Sequence, residues 1–260
     1  MNNHDAVPRR QLIATLVVVL TLCSALLALF FSDVGAMATL RRWMPHIAKG
    51  FLLNIGMSAA AMALATGAGF LLALMRIARS AYIRAPAGLI IQICRNTPWL
   101  VILFAAMLLF PYDLEVAGYR FSVPGWFKAV IGLAIPVAAN VADIVRGAMR
   151  SVPSGQWEAA EGLAFTRRKT IFLIILPQCF KAMIPPWMNW YSILALSTPL
   201  AAILGVQEVV GSTQQAMAAN NSNPGLLVPF YLFVMLLFFL YIWPISAVTR
   251  RLERHAVFKK

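Results

Sequence analysis

Residues 151–177, SVPSGQWEAAEGLAFTRRKTIFLIILP, are neither lipid-like nor a simple turn. They lie between two long apolar runs, so they must sit in water on one face of a membrane. Ser154 is a plausible N-cap for a helix carrying Gln156, Trp157, Glu158, Ala159 and Ala160, because a serine hydroxyl there can accept from a free amide of the first turn. Glu158 near the helix start complements the positive end of its dipole. Arg167, Arg168 and Lys169 follow as a basic cluster, of the kind retained on the cytoplasmic side. A short helix with one aromatic and several small residues fits a groove on another protein.

The rest of the chain agrees with a membrane setting. It has 260 residues, 61% hydrophobic and 12% charged, with a mean hydropathy of +0.77. A soluble domain would carry about twice that charge. The net charge of +13 is spread between apolar runs rather than gathered on one polar domain. It therefore reads as a topology signal and not as a nucleic-acid surface. Cys23, Cys94 and Cys179 have no metal or redox spacing. No Gly-rich phosphate loop is present, and His4, His46 and His255 form no metal or catalytic pattern.

Six apolar runs are long enough to span, near 12–31, 50–75, 88–110, 129–150, 187–206 and 226–247. A signal peptide is the rival for the first. Its apolar stretch exceeds the roughly 7–15 residues of a signal core, which favours a retained helix. The second is rich in Gly and Ala, which let helices approach closely in lipid. The third is interrupted at Arg95-Asn96-Thr97-Pro98, where Pro98 removes a backbone donor. External loops are expected at 32–49, 111–127 and 207–225, and a short cytoplasmic helix at 166–183. Sixteen of the 22 Lys and Arg residues fall on the side of the central loop, five on the other, and Arg95 within a span. This places both termini inside.

The string Pro153-x-Gly155-Gln156-Trp157-Glu158-Ala159-Ala160, followed by Ile174-x-Leu176-Pro177, resembles the EAA loop of ABC-transporter permease subunits of the polar amino acid type. Arg95-Asn96-Thr97-Pro98 resembles that subfamily's upstream Arg-Gly-Thr-Pro. The resemblance covers about 50–250. It implies an all-α integral membrane protein of the bacterial inner membrane, with a five-helix type I importer core and one added N-terminal helix. Residues 1–49 would hold the tail, that helix and an external loop. Residues 50–250 would form the transmembrane domain, with a coupling loop at 151–168, and 251–260 a basic cytoplasmic tail. The resemblance also implies a pair of separate ATPase subunits holding ATP and Mg, a second permease subunit and an external solute-binding protein. Gln156, Trp157, Glu158, Ala159, Ala160 and Arg167 would couple to the ATPase. Two departures stand out. Leu196-Ser197 precede Thr198 where many relatives have Lys-Asp, and Ala164 stands where relatives have Gly. If that Gly serves a left-handed turn, the turn is expected to have moved to Gly162.

The residues for a substrate pathway lie inside the spans. Asn140 and Asp143 share one helix face, and Asp143 can pair with Arg146. A charged residue in a span costs about 2.5–3.5 kcal/mol on insertion scales, so it faces protein or a water-filled path. Asp143 reads equally as a gate or as half of a structural pair. Asn189, Ser192, Ser197 and Thr198 beside Pro199 read as a polar path next to a helix break, or as cross-helix hydrogen bonds of about 0.6 kcal/mol each. Arg95 suits a carboxylate-bearing substrate or snorkels to the cytoplasmic face. Three rivals remain: an ion-driven secondary carrier, which would show inverted halves; a membrane enzyme, which nine acidic residues poorly supply; and a structural anchor, which needs no polar residues within spans.

Overall fold

The computed structural model describes residues 34–116 and 118–257, with isolated positions 17, 21 and 24. The span expected at 12–31 falls outside the described residues but for those three positions, and so do the tails 1–11 and 258–260. Among the described residues four helices are long and apolar enough to cross a membrane, or five if one bent pair counts as a single span.

Helix α1 runs unbroken from Val34 to Arg76, 43 residues. The external loop expected at 32–49 is therefore helical from Val34 onward. Arg41, Arg42 and Lys49 made that stretch look like a loop. Yet Ala36, Leu40, Ile47 and Phe51 recur on one helical face and are buried against a second core with Val209 and Phe230. Further along, a side chain at Gly69 would meet the Ala138 carbonyl at 2.5 Å, so this crossing requires glycine.

Helices α2 (Ala81–Asn96) and α3 (Trp99–Leu109) meet at a bend of 107°. Pro98 has no amide hydrogen and forces Thr97 into an extended conformation, φ −83° and ψ 133°. The interruption expected at Arg95–Pro98 is thus a sharp corner. The loop that follows is a hairpin, β1 (Asp113–Val116) paired antiparallel with β2 (Tyr119–Ser122). Its base is tied down by Lys128, whose Nζ donates to the Phe110 carbonyl at 3.1 Å and sits 3.6 Å from the Tyr112 ring centroid.

Helix α4 (Gly125–Arg150) is the axle: 78% of its most apolar stretch is buried, against 22–39% for the other three spans. It packs on α1, α2, α3 and on the later helix α6. Leu133, Val137 and Ala139 of α4 share one core with Met57, Leu103, Ile175 and Leu194. Helix α5 (Ser154–Gly162) follows. The next helical segment, α6, runs from Arg167 to Leu204 without a break. The separate helix expected at 166–183 and the fresh start at 187 are therefore one rod. After one α turn, Arg167–Lys169, it passes through a π turn, Thr170–Ile175, and it ends in a 3-10 stretch, Thr198–Leu204. A proline ring collides with the carbonyl four residues earlier, and the wide turn accommodates Pro177. Pro185 and Pro186 sit inside the regular part without ending it, as spans tolerate when neighbours re-satisfy the backbone.

The segment expected as an external loop at 207–225 contains helix α7 (Val209–Ala218), packed on α1. Helix α8 (Leu227–Val257) closes the chain. It carries Arg250, Arg251 and Arg254 on regular helix, since arginine is a good helix former.

The turn after α5 stays at Ala164, whose φ is +54°, and Gly162 is not among the positive-φ glycines. The expected shift to Gly162 is wrong. Ala164 N–H donates to the Glu161 carbonyl and Phe165 N–H to that of Ala160, which holds the strained turn closed. A left-handed alanine costs about 1–2 kcal/mol. Ala164→Gly is expected to raise the thermal midpoint of the purified chain by about 2–4 °C, read by tryptophan fluorescence. An unchanged or lower midpoint would contradict the strain.

Candidate functional site

Helix α5 begins at Ser154 itself, with Pro153 in the capping position and no side-chain cap. The expected serine cap is therefore absent: proline's fixed φ starts the helix here. Gln156, Glu158 and Ala159 are exposed, whereas Ala160 is buried. Trp157 is half-buried and packs against the main core. The six residues assigned to coupling thus divide by direction. Gln156 Oε1 also accepts from Gln178 Nε2 at 3.3 Å, and Arg167 Nη2 donates to the Ile77 carbonyl at 3.1 Å. The inner face of α5 rests on the π turn at the start of α6. What is left outward is a polar and small-residue surface at the foot of a rod that crosses the bundle.

The candidate pathway residues separate into two groups. Near the Arg150 end of α4, the Asp143 carboxylate is bound closely by Arg95 from α2. It lies 4.0 Å from Arg146 on its own helix. The expected Asp143–Arg146 pair is secondary, and Arg95 is engaged in an ion pair rather than snorkelling. The corner at Pro98 is what swings the end of α2 toward α4. Both side chains stay partly accessible, Arg95 at 47% and Asp143 at 30%, so the pair faces an open space. Asn140, one turn away, is buried and donates to the Pro136 carbonyl of its own helix.

At the other end, Thr198 is fully buried where the regular part of α6 gives way to its 3-10 stretch. Its Oγ1 donates to the Ala195 carbonyl and accepts from Asn54 Nδ2 of α1 at 2.9 Å. Asn54 Nδ2 also donates to Glu208 Oε2 at 2.6 Å, and Asn54 Oδ1 accepts from the Val209 amide at 2.9 Å. Glu208 Oε1 caps α7, accepting from the Val210 and Gly211 amides at 2.9 and 3.0 Å. Burial pushes the Glu208 carboxyl above its usual range, against the pull of these hydrogen bonds. Ser192 and Ser197 bond to carbonyls four residues back, and Asn189 is exposed. The structure therefore joins Thr198 to a buried network and leaves Asn189, Ser192 and Ser197 out of it.

Asn54 and Glu208 were not singled out in the sequence. An asparagine within an apolar span was a signal for the first. Glu208 was masked by its setting in a polar stretch that reads as a loop. A further link, Tyr191 with Tyr241 and Ser58, joins α6, α8 and α1.

Residues 65–256 match the family described as "Binding-protein-dependent transport system inner membrane component". The chain is 30% identical over 205 residues to the inner membrane amino-acid ABC transporter permease protein YhdY of Escherichia coli, covering 79% of this chain and 55% of that one. It is 37% identical over 166 residues to the probable amino-acid ABC transporter permease protein YckA of Bacillus subtilis, covering 64% and 71%. It is 31% identical over 182 residues to the L-cystine transport system permease protein TcyB of the same organism, covering 70% and 74%. The fold resembles a solved amino acid ABC transporter, with a TM-score of 0.71 at 21% identity, covering 84% of this chain and 97% of that one. An inward-facing MetNI methionine ABC transporter gives 0.62 at 17%, covering 84% and 96%. With its bundle of spans, exposed linker helix and matching profile, the chain belongs to the inner membrane components of binding-protein-dependent transport systems, the ABC-transporter permeases of the amino-acid type.

Proposed function

We propose that this permease subunit forms half of a translocation pathway for a polar amino acid or a similar small zwitterion, driven by a separate pair of ATPase subunits. The observation that carries the reading is the unbroken α6. Its foot bears the π turn against which the exposed helix α5 rests, and its far end holds Thr198 in the buried network with Asn54 and Glu208. At 38 residues the rod is roughly 55 Å long, well beyond the roughly 30 Å of the hydrocarbon layer. A force on α5 reaches both membrane faces through one element.

In this reading α5 lies on the cytoplasmic side and seats in a cleft of the ATPase through Gln156, Glu158 and Ala159. Trp157, Ala160 and Arg167 fasten it to its own bundle. The ATPase holds the ATP and Mg. A second permease subunit, identical or sister, completes the lumen, and an external solute-binding protein delivers the substrate. Both termini lie inside the cell. Arg95 and Asp143 offer one positive and one negative group at a partly open place, which suits the two ends of a zwitterion. Their mutual ion pair acts as a gate that the substrate must part. An ion-driven carrier working alone would need inverted halves, and the single corner at Pro98 has no counterpart among the described residues.

Glu158→Arg is expected to lower co-purification of the ATPase about tenfold while the chain still elutes as a single folded species; undiminished association would remove Glu158 from the docking surface. Transport should fall in Asp143→Ala with membrane insertion intact. The swap Arg95→Asp with Asp143→Arg then decides between the two roles. A structural pair would recover transport, whereas a substrate gate would stay closed, because the charges meet the zwitterion in the wrong order. A cysteine at position 156 is expected to react with an impermeant maleimide only in inverted vesicles, above the background of the native cysteines. Reaction in intact cells would reverse the topology.

A further inference from the structure

At the end of the bundle where α1 and α4 stop, a cavity of about 850 Å3 opens between the 77–84 turn and α5. Arg76, Arg79, Arg84, Arg146, Arg150 and Arg167 line it, and no acidic side chain does. Asp143, near Arg146, is already held by Arg95. Two of the arginines are positioned by backbone carbonyls: Arg76 Nη1 donates to Arg84 at 3.3 Å and Arg167 Nη2 to Ile77 at 3.1 Å. The Arg76 guanidinium lies flat against α2 at Gly88, where an added Cβ would come within 2.8 Å of its central carbon. Arg76 and Arg167 are thus positioned by the packing, and Arg79, Arg84 and Arg150 stand exposed around them. Six like charges facing one space repel one another unless an anion sits among them, and planar guanidinium forks match phosphate oxygens.

A second groove of about 640 Å3 shares Ile77, Ala78, Arg79 and Arg167 with this cavity. Its other walls are Arg168 and five apolar side chains, Leu74, Met75, Ile83, Ile171 and Phe172. Met75 and Phe172 are 39% and 50% exposed, so the groove presents an open apolar surface beside the arginines. A free anion or an acidic protein segment has no use for such a groove. A diacyl lipid does, and basic pockets between spans recognise anionic headgroups.

We propose that these two spaces form one binding site for an anionic phospholipid, its phosphodiester held by the arginines and an acyl chain laid in the groove. The test uses the full chain purified in neutral detergent, with phosphatidylglycerol, phosphatidylcholine and inorganic phosphate as probes and native mass spectrometry counting retained lipid. Phosphatidylglycerol is expected to be retained about tenfold over phosphatidylcholine. Excess inorganic phosphate should not displace it. Arg79→Gln with Arg84→Gln should abolish the preference, and Gly88→Leu, which shifts Arg76 without changing the charge, should weaken it. If the double variant aggregates, Arg84→Gln alone gives the same reading at smaller amplitude. Equal retention of both lipids, displacement by phosphate, or an unchanged preference in the variants would each overturn the site.

Discussion

A polar group buried in a bundle surrounded by lipid has no water to fall back on, so it must find its partner in protein. Asn54 shows what that constraint builds. Its amide nitrogen serves Thr198 and Glu208 together, and its amide oxygen takes the Val209 amide. One side chain of α1 thereby ties the end of α6 to the start of α7. Glu208 completes the arrangement by capping α7 while fully buried. Removing either member would strand the others in an apolar surround, where an unmade hydrogen bond costs about 1–3 kcal/mol. The network is thus a latch whose parts hold together or release together.

The opposite end of the molecule is organised on different terms. The Arg95–Asp143 pair is partly accessible, and exposed pairs contribute only modestly to stability. Little free energy is needed to exchange the partners for another charged group. A firm latch at one end and a partly accessible ion pair at the other suit a protein that alternates between two packings of the same helices. Between them stands α4, buried on most of its surface.

Much of this was legible in the residues. The linker helix, the long apolar spans, the interruption at Pro98 and the crowding of small residues in α1 follow from local rules: hydrophobic length, proline chemistry, and the need of charged turns for water. Where local reading failed, the cause was tertiary. Residues 34–49 carry three cations and a proline, yet Ile47 and Phe51 find a core with α7 and α8 that holds them helical. Pro185 and Pro186 look like a boundary, but neighbouring packing carries α6 through them. Ala164 keeps a left-handed backbone that glycine would take more cheaply.

The sequence by itself determined a multi-span membrane protein, the water-exposed position of α5 and the polar residues that the spans must shelter. These are properties of composition along a chain, set by transfer between water and lipid. Which polar residues meet was decided only by the tertiary structure. Arg95 reaches Asp143 through a corner of 107°, and Asn54 reaches Glu208 across 154 residues. Pairing at such separations depends on how whole helices cross, and no local pattern records a crossing.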